Sequence, residues 1–378
     1  MGPLGLGLLL LLFGGMCGGS FGLPSKFVKK DTPWETLWGP FFFFVAILLP
    51  TTVFPFIADG LFATCKTAGW GIIIYPIAFG FLWGLGSMTL GMSFAFIGLS
   101  LAYAINYGAQ IITGGLGGFV IHHSDQLGSP HGLTIIGGIA VCLVGVVVCG
   151  RAALLKSASQ ASGGEGGEAI PTGSKLMTGL VVAFLSGILC ACYGLAYSFG
   201  DKIIDISMVQ FKNPGWRSAF VVSALILWGG SVSACGYCVY KFSANKTWST
   251  LSKPGIGKVL FIALSMACLH DGAILLFGVG ANKLGELGPS VGYAVFMSFA
   301  IIVGNINGFL TGEWKGACKK SGCWIVAGIV VLMLGVSVLS GGNYMHGKYK
   351  DSLKKPDAVL AEPVAETAPI VETSPETE

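Results

Sequence analysis

The chain has 378 residues, 53% hydrophobic and 11% charged, with a formal net charge of +4 and a mean hydropathy of +0.76. Soluble domains carry about 25% charged residues, so this composition excludes an ordinary cytosolic enzyme and a disordered chain. No basic run is long enough to track a phosphate backbone, which excludes nucleic acid as a partner. The class left is an all-α integral membrane protein with the lipid bilayer as its solvent.

Apolar blocks between polar breaks give ten predicted spans, at residues 2–23, 37–58, 71–96, 98–121, 132–151, 176–199, 217–241, 257–280, 287–311 and 323–341. Backbone groups in lipid must be bonded within their own segment, so each block reads as a helix. Phe41 to Leu49 does not alternate as a barrel strand would. The first block has no Lys or Arg ahead of it, and Gly14-Gly15-Met16-Cys17 is a poor cleavage site, so it is read as a span rather than a secretion signal. Residues 157–174 have Ser/Gly linker composition, and 348–378 are too polar to fold. The expected organisation is a first five-helix repeat over 1–156, a linker over 157–174, a second five-helix repeat over 175–341 and a polar tail over 342–378.

The loops on one side hold Lys26, Lys29, Lys30, Arg151, Lys156, Lys175, Lys241, Lys246, Lys253, Lys258, Lys315, Lys319 and Lys320, which is 13 of the 22 basic residues. Basic loops stay cytoplasmic, so both termini are expected to face outward.

An internal repeat underlies the two halves. Residues 98–105, GLSLAYAI, match 288–295, GPSVGYAV, at an offset of 190 that continues without gaps. Over 98–151 there are 17 identities in 54 positions, nine in 98–119 and eight in 132–151, with none in the loop between. Loss of identity in the loop alone is what a structural repeat predicts. The offset carries the fourth span onto the ninth and the fifth onto the tenth. Five spans per repeat is odd, so the second copy enters the membrane inverted, the build of many secondary transporters.

Within the fourth span, Ser100, Tyr103, Asn106, Tyr107, Gln110 and Thr113 fall in steps of three and four along one broad stripe. Such a stripe faces the bundle interior or a wet cavity, because lipid-facing amides would go unsatisfied. Amides, hydroxyls and aromatic rings suit a neutral polyhydroxylated ligand; the competing reading is hydrogen bonding between helices. The repeat partner keeps Ser290 and Tyr293 but has Phe296, Met297 and Ala300 in place of the other polar groups, with Asn305 and Asn307 further on. The substrate-binding candidates are therefore Tyr103, Asn106, Tyr107, Gln110 and Tyr293.

Near the centre of the eighth span stand His270 and Asp271. An ionised group there is disfavoured by about 2.5–3.5 kcal/mol, so the pair is expected to have a partner or a function. Proton coupling is the functional reading, since burial moves both groups toward neutrality. Adjacent helical residues diverge by about 100°, so the two need not bond each other. Glu35 and Glu313, beside Trp34, Trp38 and Trp314, read as interfacial anchors. Asp201, Lys202, Asp205, Lys283 and Glu286 read as solvated loop charges. His122, His123 and His131 share a loop without metal-ligand spacing. Cys190-x-Cys192 and Cys235-x-x-Cys238 lie within spans, where packing is the expected role. No metal or organic cofactor is expected, with the proton as coupling ion.

The stretch Pro24-Ser25-Lys26-Phe27-Val28-Lys29-Lys30 followed by Trp34-Glu35 and Trp38 resembles the first loop of the L-rhamnose–proton symporters, within the drug/metabolite transporter superfamily. Trp83-Gly84-Leu85-Gly86 with Gly98-Leu99-Ser100-Leu101, and Gly312-Glu313-Trp314-Lys315, resemble two further segments of that family in the same order. The resemblance implies ten helices in two inverted repeats and proton-driven uptake of a 6-deoxyhexose across a bacterial inner membrane. Tyr103, Asn106 and Gln110, and the His270-Asp271 pair, depart from the family's smaller or more aromatic residues. The expected function is uptake of a small neutral sugar such as L-rhamnose. The alternatives are an exporter or exchanger of another metabolite, or an integral-membrane enzyme acting on a lipid-linked sugar.

Overall fold

The apolar blocks form helices in the computed structural model, which describes residues 2–162, 174–197, 199–285 and 288–353; no strand occurs among the described residues. Helix α1 spans Pro3–Ser20, with Pro3 in the first turn where its missing N–H is harmless. Helix α2, Trp34–Phe43, continues through a π turn at Phe44–Leu48 and short turns at Leu49–Thr52 and Phe54–Ile57. A short helix α3, Leu61–Ala68, leads into α4, Trp70–Gln110. Gly98 breaks α4 at φ 75°, ψ 165°, a conformation that glycine adopts without a Cβ clash. Beyond it the chain turns through a π turn at Ile111–Leu116 into α5, Gly117–His122.

The remaining helices are α6, Pro130–Ser162; α7, Ser174–Tyr197; α8, Asp201–Phe211; α9, Gly215–Ala244; α10, Ile256–Leu284; α11, Tyr293–Leu310; and α12, Lys319–Leu353. A π turn at Gly288–Gly292 precedes α11. Among the described residues, nine helices are long and apolar enough to cross a membrane. The stretch expected as the fourth span is helical to His122, but Gly98 and the π turn divide it into shorter pieces.

Two expectations of irregular structure give way to helix. The linker composition begins at Ser157, yet α6 runs on to Ser162. Ser157 Oγ donates to the Ala153 carbonyl, and Gln160 Nε2 donates to the carbonyls of Glu313 and Lys315, so these polar residues are tied into the fold. The tail expected from 342 is helical to Leu353, where His346 and Tyr349 pack their rings on His131 at 5.0 and 5.3 Å. Extending an existing helix is far easier than nucleating one, so a few ring contacts suffice. Residues 163–173 and 354–378 lie outside the described set.

Small residues set the helix crossings. Helix α1 runs antiparallel to α10, with Gly7 against Gly280 and Gly14 against Ala273, and parallel to α11, with Gly15 against Phe299 and Gly19 against Ala300. Helix α7 makes the same two kinds of contact with α4. It is antiparallel to the part before Gly98, where Gly86 meets Cys190, and parallel to the part beyond it, where Gly187 meets Asn106 and Ala109. Helices α6 and α12 form an antiparallel pair through Gly138–Leu339, Cys142–Gly335, Gly145–Leu332 and Cys149–Gly328. The buried cysteines of this pair are free thiols filling space, as the sequence suggests.

Candidate functional site

Where α1, α4, α7, α10 and α11 converge they leave a small chamber of about 70 Å³. Beyond Gly98, α4 contributes Tyr107 and Gln110, whereas α11 contributes Tyr293, Phe296 and Met297. Helix α10 adds His270 beside the apolar Ala273, Ile274 and Phe277. The polar residues come from four helices: Ser87, Tyr107 and Gln110 from α4, Tyr193 from α7, His270 from α10 and Tyr293 from α11.

A directed chain of hydrogen bonds runs from the chamber into the packed helices behind it. Tyr293 Oη donates to Gln110 Oε1 at 2.6 Å, Gln110 Nε2 to Asn106 Oδ1 at 2.6 Å, and Asn106 Nδ2 to Ser186 Oγ at 2.7 Å. Ser186 Oγ donates onward to the Ala183 carbonyl at 2.8 Å. Three helices, α11, α4 and α7, are tied by this chain, and Gln110 and Tyr293 are its members lining the chamber. Buried polar groups linked this way hold one another's orientation.

Of the five candidate sugar contacts, Tyr107, Gln110 and Tyr293 line the chamber. Asn106 is fully buried behind Gln110 and positions it. Tyr103 does not line the chamber: its Oη accepts the Gly22 N–H at 3.1 Å, and its ring packs among Phe21, Phe94 and Tyr107. Tyr107 Oη donates to the Gly18 carbonyl. The side chains of Ser100 and Ser290 lie outside the described set, and Thr113 is not part of the wall. Asn305 and Asn307 serve helix packing, the latter donating to Ser20 Oγ on α1.

His270 lines the chamber and Asp271 sits behind it, buried. Helix geometry does not require the two to meet, yet they do, His270 Nδ1 with Asp271 Oδ1 at 3.2 Å. Phe21, Phe41 and Trp83 surround the imidazole, with ring centroids 5.4, 6.0 and 5.6 Å away. Asp271 Oδ2 has no hydrogen-bond partner among the described residues.

The two glutamates read as interfacial anchors do more than that. Glu35 is buried and accepts from Asn245 Nδ2 and Thr247 Oγ1. Glu313 bridges Lys26 at 2.7 Å and Lys156 at 2.6 Å, joining the turn after α1, the end of α6 and the loop before α12. Burial acts to raise the Glu313 carboxyl, but the two ammonium groups outweigh it and hold the pKa down at about 2. Of the charges read as loop residues, Asp201, Lys202 and Asp205 are exposed but stand on helix α8, Lys283 is half-buried in the last turn of α10, and Glu286 lies outside the described residues. No cluster of three or more His, Cys, Asp or Glu suited to a metal occurs among the described residues.

Trp83, Ser87 and Leu90 of α4, Tyr193 of α7 and Phe277 of α10 also line the chamber and were not singled out from sequence. Trp83, Ser87 and Leu90 follow the i, i+4, i+7 spacing of one helical face. That signal was present but looked like ordinary packing in a uniformly apolar span.

The model of the L-rhamnose-proton symport protein family matches residues 2–344. An L-rhamnose-proton symporter of Pectobacterium atrosepticum is 25% identical over 350 residues, covering 90% of this chain and 98% of the relative. One from Yersinia pestis bv. Antiqua is 25% identical over 346 residues, covering 89% and 97%. With a match that spans nearly the whole chain, the protein belongs to the L-rhamnose-proton symport protein family.

Proposed function

We propose that the protein is a secondary carrier that takes up L-rhamnose or a related 6-deoxyhexose together with a proton, by alternating access to the central chamber. Family membership over nearly the full chain supports this direction and substrate class ahead of export or exchange of another metabolite. Transport by binding and conformational change needs no covalent chemistry. In this reading Gln110, Tyr107 and Tyr293 meet sugar hydroxyls, Asn106 and Tyr103 hold them in place, and the His270–Asp271 pair carries the proton.

The architecture proposed is ten crossings in two inverted halves, with the helical turns from Gly98 to His122 counted as the fourth. The observation that carries it is an exchange of contacts. Moving one partner forward and the other back by the repeat offset of 190 turns Gly138–Leu339 into Cys149–Gly328, and Cys142–Gly335 into Gly145–Leu332. The same operation turns the packing of Tyr103 on Gly304 into that of Tyr293 on Gly114. Contacts between antiparallel helices that swap in this way are what a two-fold axis in the membrane plane produces. The bias of basic loops supports a cytoplasmic position for the Lys26–Glu313–Lys156 cluster at a bacterial inner membrane, with both termini outside.

The test is uptake of labelled L-rhamnose into proteoliposomes under an inward proton gradient. Accumulation abolished by a protonophore is expected. Uptake that equilibrates without accumulating, or no uptake of any deoxyhexose, would remove the symport reading.

A further inference from the structure

We infer that Trp83 is the surface on which the sugar ring rests, and that its contact with His270 joins sugar occupancy to the proton site. The inference rests on the carrier reading of the chamber and adds a residue to it. Trp83 stands on α4 ahead of the Gly98 break, is buried, and lines the chamber. The Cε3–Cζ3 edge of its indole is seated on α9, where a Cβ on Gly230 would lie 2.6 Å from Cζ3. The indole packs at 5.7 Å and 67° on Tyr193, and at 5.6 Å and 44° on His270.

A pyranose presents C–H groups on its faces and hydroxyls around its rim. The chamber is divided in the same manner, with aromatic surface from Trp83 and amide and phenol groups at Gln110, Tyr107 and Tyr293. An indole gives a large, rigid apolar face with little conformational freedom to lose. Phe21 and Phe41 meet the imidazole nearly edge-on, at 79° and 90°, and so act as a fixed collar. Trp83 meets it at a tilt, and an indole π face attracts a nearby cation. A sugar that presses on the indole therefore changes the surroundings of His270. The other titratable groups around this point are Asp271 on the same helix, Tyr193 on α7, Tyr107 on α4, Tyr293 on α11 and the thiol of Cys190. No lysine or arginine lines the chamber among the described residues.

The experiment compares wild-type protein with Trp83→Phe and Trp83→Ala in proteoliposomes, measuring L-rhamnose KM, maximal rate and the pH of half-maximal uptake. Quenching of tryptophan fluorescence by L-rhamnose is measured on the same detergent-purified proteins. Trp83→Ala is expected to raise KM about tenfold and to move the half-maximal pH downward, with Trp83→Phe recovering part of both. The sugar-induced quench is expected to disappear in Trp83→Phe, which keeps an aromatic ring in the cavity and so guards against a simple folding defect. Wild-type KM, pH profile and quench in Trp83→Phe would overturn the inference while leaving the carrier reading intact. Failure of the wild-type protein itself to bind or accumulate L-rhamnose would remove both.

Discussion

Gln110 receives the Tyr293 hydroxyl and donates to Asn106, so it cannot be replaced without leaving two buried groups unpaired. Gln110→Leu is expected to destabilise the protein by about 1–3 kcal/mol and to abolish L-rhamnose binding, measured by thermal unfolding and by isothermal titration. Asp271→Asn tests a different role: sugar counterflow is expected to persist, while gradient-driven accumulation is lost and the pH profile of uptake flattens. Legibility at this scale follows from what a helical stripe encodes. Steps of three and four put Tyr107 and Gln110 on one helical face, and both line the chamber. The stripe does not distinguish a residue that lines a cavity from one that braces its neighbour, which is why Asn106 and Tyr103 were grouped with them. The His270–Asp271 bond was unreadable because helix geometry does not require adjacent side chains to meet.

Among helices and loops, the informative features are the Tyr–Gly crossings and the Glu313 cluster. A Cβ at Gly114 would come within 2.6 Å of the Tyr293 ring, whereas one at Gly304 would lie 3.3 Å from Tyr103. Gly114→Ala is therefore expected to displace Tyr293 from Gln110 and raise the L-rhamnose KM several-fold, with Gly304→Ala much closer to wild type. Glu313 has its carboxyl pKa lowered from 4.5 to about 2 by Lys156 and Lys26. A depressed carboxylate pKa stabilises the folded state fully above the unfolded value and loses that contribution as pH falls through the folded one. The stability gap between wild type and Glu313→Gln is thus expected to be constant from pH 5 to neutrality and to shrink below about pH 4.5, as read by thermal unfolding. A gap that widened on acidification would contradict this assignment. The Glu313 cluster escaped the sequence reading because its three members are separated by well over a hundred residues, and a lone acid beside Trp314 looks like an interfacial anchor. Helix limits at Ser162 and Leu353 were missed for a related reason: local composition favoured coil, and contacts to distant segments decided otherwise.

At the level of the whole molecule, apolar block length and the 190-residue repeat made the helical membrane architecture readable before any coordinates, because the bilayer permits so few backbone solutions. The chamber was not readable in the same way; its apolar lining is composed of residues indistinguishable from core. The antiparallel packing of α6 on α12 gives a direct prediction. A cysteine at Gly335 is placed against native Cys142, so Gly335→Cys is expected to form an intramolecular disulfide with it under mild oxidation, protecting both thiols from maleimide. Unchanged labelling of both would argue against the antiparallel pair. The account depends most on the claim that sugar and proton travel together through one chamber. The most direct test is the pH of a weakly buffered suspension of proteoliposomes when L-rhamnose is added outside. The account predicts a transient alkalinisation in wild type that is absent in Asp271→Asn, and L-rhamnose entry with no proton movement in wild type would contradict it.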